Sequence, residues 1–251
     1  MKLKIILLFV FVLFIQCKGE KIEKISTKNT SLFFESEMLK FQFFSDNTYL
    51  FTVIKKDEPI KSKKYKGSCY FKNDTIYFKP FYFEFNRSEK AVIKNNFIEF
   101  INPNYPVRLE IEKNLFHTKS KLDLKKYLDY AFFSFDAKYL KDDSNYKSNH
   151  LKPADLNQKE LVELDQILKK CFSDNASKLR KFNQYINQCI VVINEKQEKE
   201  ILIKSYCKDP YNTNEFKYSL IMMDDGGNCN IGLKVNLTKR TYSDLHISGS
   251  A

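Results

Sequence analysis

Glycine and histidine are scarce in this chain of 251 residues, which has six glycines and three histidines. It contains no G-x-S-x-G nucleophile turn, no H-E-x-x-H zinc motif and no glycine-rich phosphate loop. No C-x-x-C pair occurs, and His117, His150 and His246 are scattered, which disfavours a zinc site. We therefore predict no catalytic residue, no metal and no cofactor, and a protein that is not an enzyme.

Long hydrophobic runs are absent except at the start, where Ile5 to Ile15 contains no polar residue. As a helix this run spans about 16 Å, whereas a bilayer core requires roughly 20 apolar residues. Lys2 and Lys4 supply the positive charge that precedes the apolar core of a secretory signal. The segment therefore predicts export, with residues 1–16 as a signal peptide.

The apolar run leads into Phe14-Ile15-Gln16-Cys17. This stretch resembles the lipobox of bacterial lipoproteins, in which an apolar triplet precedes a cysteine. The resemblance implies lipid attachment at Cys17, with diacylglycerol on the thiol and an acyl chain such as palmitate on the new amine. Two or three acyl chains anchor a protein stably in a membrane. Lys18 stands where an aspartate would retain a lipoprotein at the inner membrane, so the resemblance favours the outer membrane of the cell envelope.

Two alternatives to a lipid anchor follow from the same residues. Gln16 occupies a position usually held by Gly, Ala or Ser. A plain secretory signal cut after Gly19 would use Cys17 and Gly19 as its two small residues, and the protein would then be freely secreted. The second alternative is an apolar segment that stays in the membrane as an uncleaved anchor.

Basic residues outnumber acidic ones, 42 Lys and Arg against 31 Asp and Glu, and the formal net charge is +11. An exported, anchored chain rarely meets nucleic acid, so the expected partners are the membrane itself and an envelope protein or acidic polysaccharide. The alternative is a well-solvated surface, because acidic residues lie between the lysines. The one dense basic run, residues 55–67, is interpreted as a loop and a strand edge where lysine discourages aggregation.

Six cysteines occur, and if Cys17 carries lipid, five are left. Export permits disulfides, but an odd number leaves at least one thiol free. Cys189, Cys207 and Cys229 fall on successive predicted strands, and a hairpin centred near Gln197 would bring Cys189 close to Cys207. A Cys189–Cys207 or a Cys207–Cys229 disulfide is one alternative, and buried free thiols are the other.

Residues 31–118 are predicted to form an antiparallel β domain, preceded by a polar, lipid-anchored tether over residues 17–30. Short aromatic strands alternate with turn signals at intervals of about 10 to 12 residues, which is typical of a meander or small barrel. The turn signals are Ser45-Asp46-Asn47, Lys72-Asn73-Asp74 and Asn102-Pro103-Asn104. This layout is similar to the small lipocalin-like barrels of bacterial lipoproteins, which implies an interior that holds an apolar ligand. The alternative, which we favour, is a core filled by its own Phe and Tyr side chains.

Residues 119–153 are predicted to form a helical connector that ends in a polar linker over 141–153. Their apolar residues recur at helical spacing. The stripe consists of Leu124, Tyr127, Leu128, Ala131, Phe135 and Tyr139.

Residues 154–251 are predicted to form a helix that packs on a four-stranded antiparallel sheet. Asn157 and Glu160 make a capping-box pair at the start of the helix. Strands are expected at about 185–194, 199–208, 216–224 and 229–236, with a fifth at 243–249. This order of elements is similar to that of cystatin-like folds.

The sequence Asp224-Asp225-Gly226-Gly227-Asn228 is the most conspicuous polar cluster. A calcium loop needs alternating oxygen ligands and a distal Glu, and this run has neither. Gly-Gly and Asn suit a tight turn that requires positive φ, so we interpret the run as a turn.

The sequence thus predicts an α+β protein, with an N-terminal β-meander or small barrel followed by a helix plus sheet. Its predicted role is that of a non-enzymatic envelope lipoprotein, an accessory or interaction protein with an exposed aromatic and basic surface. Two alternatives remain: a carrier of a small apolar ligand in the β domain, and an envelope hydrolase.

Overall fold

The computed structural model describes residues 21–31, 37–55, 61–79, 88–101, 108–118, 122–136, 150–209 and 215–249. Within these ranges the chain forms a nine-stranded sheet, a six-stranded sheet and one α-helix. This confirms the predicted α+β class with an N-terminal barrel. The predicted signal peptide and Cys17 lie outside the described residues.

The first sheet closes into an eight-stranded antiparallel barrel. The nine strands of this sheet are β1 (Glu23–Thr27), β2 (Thr30–Ser31), β3 (Glu37–Phe44), β4 (Thr48–Lys55), β5 (Lys61–Lys72), β6 (Thr75–Lys79), β7 (Lys90–Lys94), β8 (Phe97–Ile101) and β9 (Arg108–Asn114). Each strand from β3 to β9 pairs with the next one in sequence, and β1 pairs with both β9 and β3. The short strand β2 adds to β3 outside the closed ring.

Tight turns at one end of the barrel set its register. Asn73 and Asp74 join β5 to β6, and Asn95 and Asn96 join β7 to β8, all four with positive φ. Two-residue hairpin turns require this conformation, which Asn and Asp adopt more readily than other side chains. The third turn has Asn47 at φ 60°. The turns predicted at 45–47 and 72–74 are therefore confirmed, whereas the one at 102–104 lies outside the described residues.

Aromatic rings occupy the interior of the barrel. The ring of Phe41 lies 5.8 to 6.5 Å, between centroids, from the rings of four other residues. These are Tyr49, Phe51, Phe78 and Phe100, all of them buried. Beyond β9, Phe116 stacks on Phe71 with centroids 4.2 Å apart and covers the end of the barrel that carries the tight turns. A barrel of about eight strands has an interior that side chains can fill, and these rings lie against one another there.

The barrel begins earlier than the sequence predicts. The tether was expected to reach residue 30, but Glu23–Thr27 forms β1, and Ile25, Ser26 and Thr27 are buried. The short sequence EKIST has little apolar alternation, so nothing local marks it as a strand. It becomes one because β3 and β9 each leave an unpaired edge, and β1 satisfies both.

The second sheet holds the C-terminal half of the chain. It consists of β10 (Tyr130–Phe133), β11 (Lys152–Pro153), β12 (Tyr185–Ile193), β13 (Lys199–Cys207), β14 (Asn230–Asn236) and β15 (Thr241–Ile247). Strands β12 to β15 form the predicted antiparallel meander, β10 lies parallel to β12, and β11 pairs with the end of β12. Short 3₁₀ turns cover Phe182–Gln184, Glu215–Lys217 and Gly227–Cys229.

The helix α1 (Gln158–Asp174) begins with the predicted capping box. Asn157 Oδ1 accepts from the backbone N–H of Glu160, and the Glu160 carboxylate accepts from the N–H of Asn157. One face of α1 is buried against β12, β13 and β14, as predicted. That face consists of Leu161, Leu164, Ile167, Leu168, Cys171 and Phe172. Among the described residues, no helix combines the length and the apolar character needed to cross a bilayer.

The predicted helical connector is wrong. Tyr130–Phe133 forms strand β10, all four of its side chains are buried, and Leu128 is exposed. A four-residue apolar run fits a buried strand as well as a helix, and periodicity alone does not separate the two. Parallel pairing with β12 decides the matter. Tyr139 and most of the predicted linker lie outside the described residues.

The predicted strand at 216–224 is also wrong. Residues 215–229, which we name the strap, cross one face of the second sheet without pairing into it as a strand. Phe216 in the strap is buried against Phe133 and Ile190.

Side chains of the sheet bind the backbone of the strap. Gln188 Nε2 donates to the carbonyls of Phe216 and Ser219 at 2.7 Å, and Gln188 Oε1 accepts from the N–H of Ile221. The Tyr206 hydroxyl donates to the carbonyl of Ile221, and Asn230 donates to carbonyls farther along the strap. These bonds replace the ladder that a strand would have made.

Candidate binding surface

Three lysines that form no ion pair among the described residues lie in a row on the outer face of β5. Along this strand Lys64, Lys66, Ser68, Tyr70 and Lys72 are exposed. The intervening residues face inward, and Cys69 among them is buried. Alternation along a strand therefore places three lysines and one tyrosine on a single outward row.

Pairing with β6 and β7 widens this row into a surface. Tyr70 lies opposite Tyr77, Ser68 lies opposite Lys79, and Tyr77 lies opposite Lys90. The rings of Tyr70 and Tyr77 stack with centroids 4.8 Å apart, and Tyr70 remains 45 % exposed. We name this region the basic tyrosine surface, consisting of Lys64, Lys66, Tyr70, Lys72, Tyr77, Lys79 and Lys90.

Nothing in the described residues neutralises the basic tyrosine surface. Its five lysines take part in no ion pair there, whereas Lys28 and Lys94 of the same barrel pair with Glu110 and Asp155. Lys64 and Lys72 lie about 27 Å apart along β5, and neighbouring strands lie about 4.8 Å apart, so the five positive charges form an elongated band. This surface presents aromatic and cationic groups together and suits a ligand with several negative charges.

The chain enters the barrel beside this surface. Lys21 lies just before β1, and its ammonium group approaches Asp46 at 3.2 Å and the ring of Phe44 at 4.2 Å. Lys21 also donates to Thr48. Thr48 lies opposite Ser68 on β5, which lies opposite Lys79 on β6. The predicted anchor at Cys17 is therefore close in sequence to a residue that borders the surface.

A buried ion pair lies at the junction of the barrel and the second domain. Glu99 of β8 and Arg108 of β9 are register partners, with Nε and Oε1 2.8 Å apart and side chains 7 % and 4 % exposed. The guanidinium lies between two rings, with Phe97 at 4.0 Å and Phe133 at 4.3 Å. Burial lowers the pKa of Arg108, and the neighbouring Glu99 carboxylate opposes that shift.

The remaining groups of the ion pair bind the backbone of the second domain. Arg108 donates to the carbonyls of Phe132 and Lys217 at 2.6 Å, and Glu99 accepts from the N–H of Ser134 at 2.6 Å. These contacts reach β10 and the strap, so they join three parts of the fold. Arg108 is a structural group, because its donors are directed at backbone carbonyls inside the protein.

Tyr218 of the strap adds a further contact with the barrel. Its hydroxyl donates to Glu110 at 2.8 Å, and its ring packs edge-on against Phe97. Burial, with the hydrogen bond to Glu110, raises the pKa of Tyr218 to about 12. The phenol therefore stays protonated and continues to donate at neutral pH.

Both predicted alternatives occur among the described cysteines: one pair forms a disulfide, and three thiols are free and buried. Cys207 and Cys229 form a disulfide, with their Cα atoms 4.7 Å apart. Cys189 lies opposite Ile203 and not close to Cys207, because the hairpin turns at Asn194 to Glu198, earlier than the sequence predicts.

Cys189 is a buried free thiol, as are Cys69 and Cys171. Burial raises the pKa of Cys69 to about 12 and that of Cys171 to about 11, and it also raises the pKa of Cys189. Thiols in this state are poor nucleophiles and poor metal ligands.

The run of residues 224–228 is the remaining polar cluster that the sequence singles out. Gly226 and Gly227 both have positive φ, which agrees with the turn expected at 224–228. Among the residues described, no group of three or more His, Cys, Asp and Glu side chains is arranged to hold a metal ion.

Comparison of the chain with protein-family models, with curated proteins and with solved structures finds no match. The basic tyrosine surface was not located from the sequence, since residues 55–67 covered only part of it. The signal that would have found it is the outward period-2 row of Lys64, Lys66, Tyr70 and Lys72.

Proposed function

We propose that this chain is an exported, lipid-anchored accessory protein of the cell envelope, at the outer membrane, which acts by binding and not by catalysis. The observation that carries the proposal is the basic tyrosine surface, which lies beside the point where the N-terminal segment enters the barrel. Positive charge without partners is costly to keep in one place unless it serves binding or solubility. Its position next to the predicted anchor favours binding at the envelope.

Export is supported by the Cys207–Cys229 disulfide. Disulfides persist in oxidising compartments and are rare in reducing ones. The apolar run Ile5 to Ile15 and the lipobox-like residues before Cys17 agree with this location. Sequence and disulfide thus support export independently.

A binding role is supported by the contacts of the buried tyrosines whose pKa values are raised. Active sites collect titratable groups with shifted pKa values in one cleft. Here burial raises the pKa of Tyr130 and Tyr206, and both hydroxyls donate to internal acceptors, Asp165 and the carbonyl of Ile221. They lie in separate parts of the second domain and stabilise packing.

A carrier role for the barrel is less well supported. The rings around Phe41 contact one another in the interior, where an apolar ligand would have to lie. A ligand would displace packed side chains, at a cost in packing energy that close-packed interiors make large.

The experiment that tests the proposal is the intact mass of the mature N-terminus in membranes from cells that express the wild-type chain, Cys17→Ala or Gly19→Leu. Gly19→Leu is the matched control, because it blocks a plain secretory cut and leaves the lipobox-like residues unchanged. We expect acylated Cys17 in the wild type and in Gly19→Leu, and no acylation in Cys17→Ala.

A wild-type chain that begins at Glu20 without lipid would overturn the anchor, and so would loss of processing in Gly19→Leu alone. Either result would make the protein freely secreted.

A further inference from the structure

We propose that the basic tyrosine surface lies against anionic phospholipid head groups of the membrane that holds the anchor, and that this contact orients the barrel on the bilayer. The inference deepens the proposed function and rests on its lipid anchor at Cys17. The occupant is inferred from charge, from the chemistry of tyrosine and from the shortness of the chain before the barrel.

The chain between Cys17 and the barrel is short. Four residue steps separate Cys17 from Lys21, and a fully extended chain covers about 14 Å in that distance. Lys21 already contacts the β3–β4 turn, and β1 begins two residues later. Lipid at Cys17 would therefore hold one side of the barrel close to the head groups.

The register of the barrel shows which side this is. From Lys21 a row of contacts runs through Thr48 and Ser68 to Lys79. Two strand spacings of about 4.8 Å separate Thr48 from Lys79. The basic tyrosine surface therefore starts within about 10 Å of the residue that Lys21 contacts, and it extends away over β5, β6 and β7.

The opposite flank of the barrel is already covered. Strands β8 and β9 bind the second domain through Glu99 and Arg108, and the far end of β7 does so through Lys94 and Asp155. The second domain thus leaves the β5–β6 flank facing outward, and four of the five lysines of the basic tyrosine surface are on β5 and β6.

The chemistry of the surface suits a layer of head groups. Lysine presents a compact charge on a flexible stem and does not require the fixed geometry that arginine needs for a single phosphate. Each lysine near an anionic membrane surface strengthens binding about fivefold. The stacked Tyr70 and Tyr77 rings have an apolar body and a polar tip, which is the character of side chains enriched at the membrane interface.

The test uses the chain from Lys18 to Ala251, which keeps every residue that the structure describes and lacks the anchor. Its binding is measured by co-sedimentation with vesicles of phosphatidylcholine alone and with vesicles that also contain phosphatidylglycerol. We expect binding only to the anionic vesicles, and a steep loss of binding as salt is added.

The decisive variant is Lys66→Gln/Lys79→Gln/Lys90→Gln. We expect it to bind anionic vesicles on the order of 100-fold more weakly, because three fivefold contributions are removed. The matched control is Lys125→Gln/Lys178→Gln/Lys196→Gln, which loses the same charge from exposed positions of the second domain. Its binding should stay within a few-fold of the wild type, and thermal unfolding of both variants checks that they fold.

Equal weakening by the two triple variants would overturn the proposal, since only total charge would then matter. Binding to polygalacturonate but not to anionic vesicles would also overturn it and would assign the surface to an acidic polysaccharide.

The two proposals fail separately. Lipid on Cys17 together with no vesicle binding by the truncated chain would refute the membrane-facing surface and keep the anchor. Vesicle binding by a chain that carries no lipid in cells would refute the anchor and keep the surface.

Discussion

In the barrel, neighbouring strands in sequence are neighbouring strands in space from β3 to β9, and residues such as Asn73 and Asp74 turn the chain between them. In the second domain, Tyr130 of β10 pairs with Asn187 of β12, and the strap is bound by side chains of β12, β13 and β14. The barrel is mostly assembled from local hairpins, whereas the second domain depends on contacts between distant residues. A single substitution should therefore affect the two regions differently, according to which kind of contact it removes.

The largest effect is expected where the two regions meet. Arg108→Met should lower the free energy of unfolding by about 3 to 5 kcal/mol, because it leaves the buried Glu99 carboxylate without its partner. It also removes the donors to Phe132 and Lys217. Unfolding in denaturant measures the loss. Limited proteolysis should cut the strap before it cuts the barrel.

The matched control is Arg240→Met, because Arg240 pairs with Glu163 but is 73 % exposed. Its cost should be below about 1 kcal/mol. The double variant Glu99→Leu/Arg108→Met should regain part of the stability that Arg108→Met loses, since no charge is then left buried alone. Equal losses in Arg108→Met and Arg240→Met would contradict a structural role for the buried pair.

A smaller loss of stability is expected in the second domain alone, with little change in the barrel. The variant Cys207→Ser/Cys229→Ser opens a loop whose ends are 22 residues apart in sequence. Loop closure of this length contributes about 3 kcal/mol by restricting the unfolded chain. Hydrogen exchange should speed up at strap amides such as that of Ile221, and should change little in β5.

Reductant provides the internal control for this prediction. It should destabilise the wild type and leave the double serine variant unchanged. Exchange that accelerates equally in β5 and in the strap would show that the two regions unfold as one unit, which would contradict separate stabilisation of the barrel and the second domain.

The smallest expected effect is on the stability of the folded protein at acidic pH. Glu198 accepts from Lys239, Asn236 and Asn194, and these bonds lower its pKa from 4.5 to about 2. The folded protein therefore holds this proton less tightly than the unfolded chain does. The resulting stabilisation is present above about pH 4.5 and is lost as the pH falls toward 2.

Glu198→Gln should flatten the loss of stability between these two pH values, as measured by denaturant unfolding at a series of pH values. Glu112→Gln in the barrel is the matched control, because Glu112 is exposed on β9. Its pH profile should match that of the wild type. Identical profiles for Glu198→Gln and the wild type would show that the contacts at the end of the β12–β13 hairpin do not contribute.

The features that sequence reasoning located correctly have local causes. Asn73 and Asp74 form a turn because short polar side chains tolerate positive φ. Asn157 and Glu160 satisfy each other's backbone N–H groups within one helical turn. The apolar stripe of α1 is buried for the same reason, since its spacing already places those side chains on one face.

The features that it missed have distant causes. The strand β1 has a polar sequence and forms because β3 and β9 need a partner to close the barrel. The strap has the apolar and aromatic residues of a strand, yet Gln188 and Tyr206 bind its backbone in a different conformation. No window of neighbouring residues contains these partners.

The basic tyrosine surface likewise has one part that is visible in the sequence and one that depends on tertiary contacts. The lysines and tyrosines of residues 61–79 are evident in the sequence, and so is their alternation. Their meeting with Lys90 depends on the pairing of β6 with β7, and their place next to Lys21 depends on the contact of Lys21 with Thr48, 27 residues later in the chain.

The fold class, the barrel turns and the capped helix are predictable from the sequence, because each follows from patterns of residues within a few positions of one another. Contacts between distant residues set the closure of the barrel, the path of the strap, the Cys207–Cys229 pairing and the burial of Arg108. These depend on which hydrogen-bonding groups, thiols and charges are left without a partner once the local elements have formed, and that outcome is a property of the whole chain.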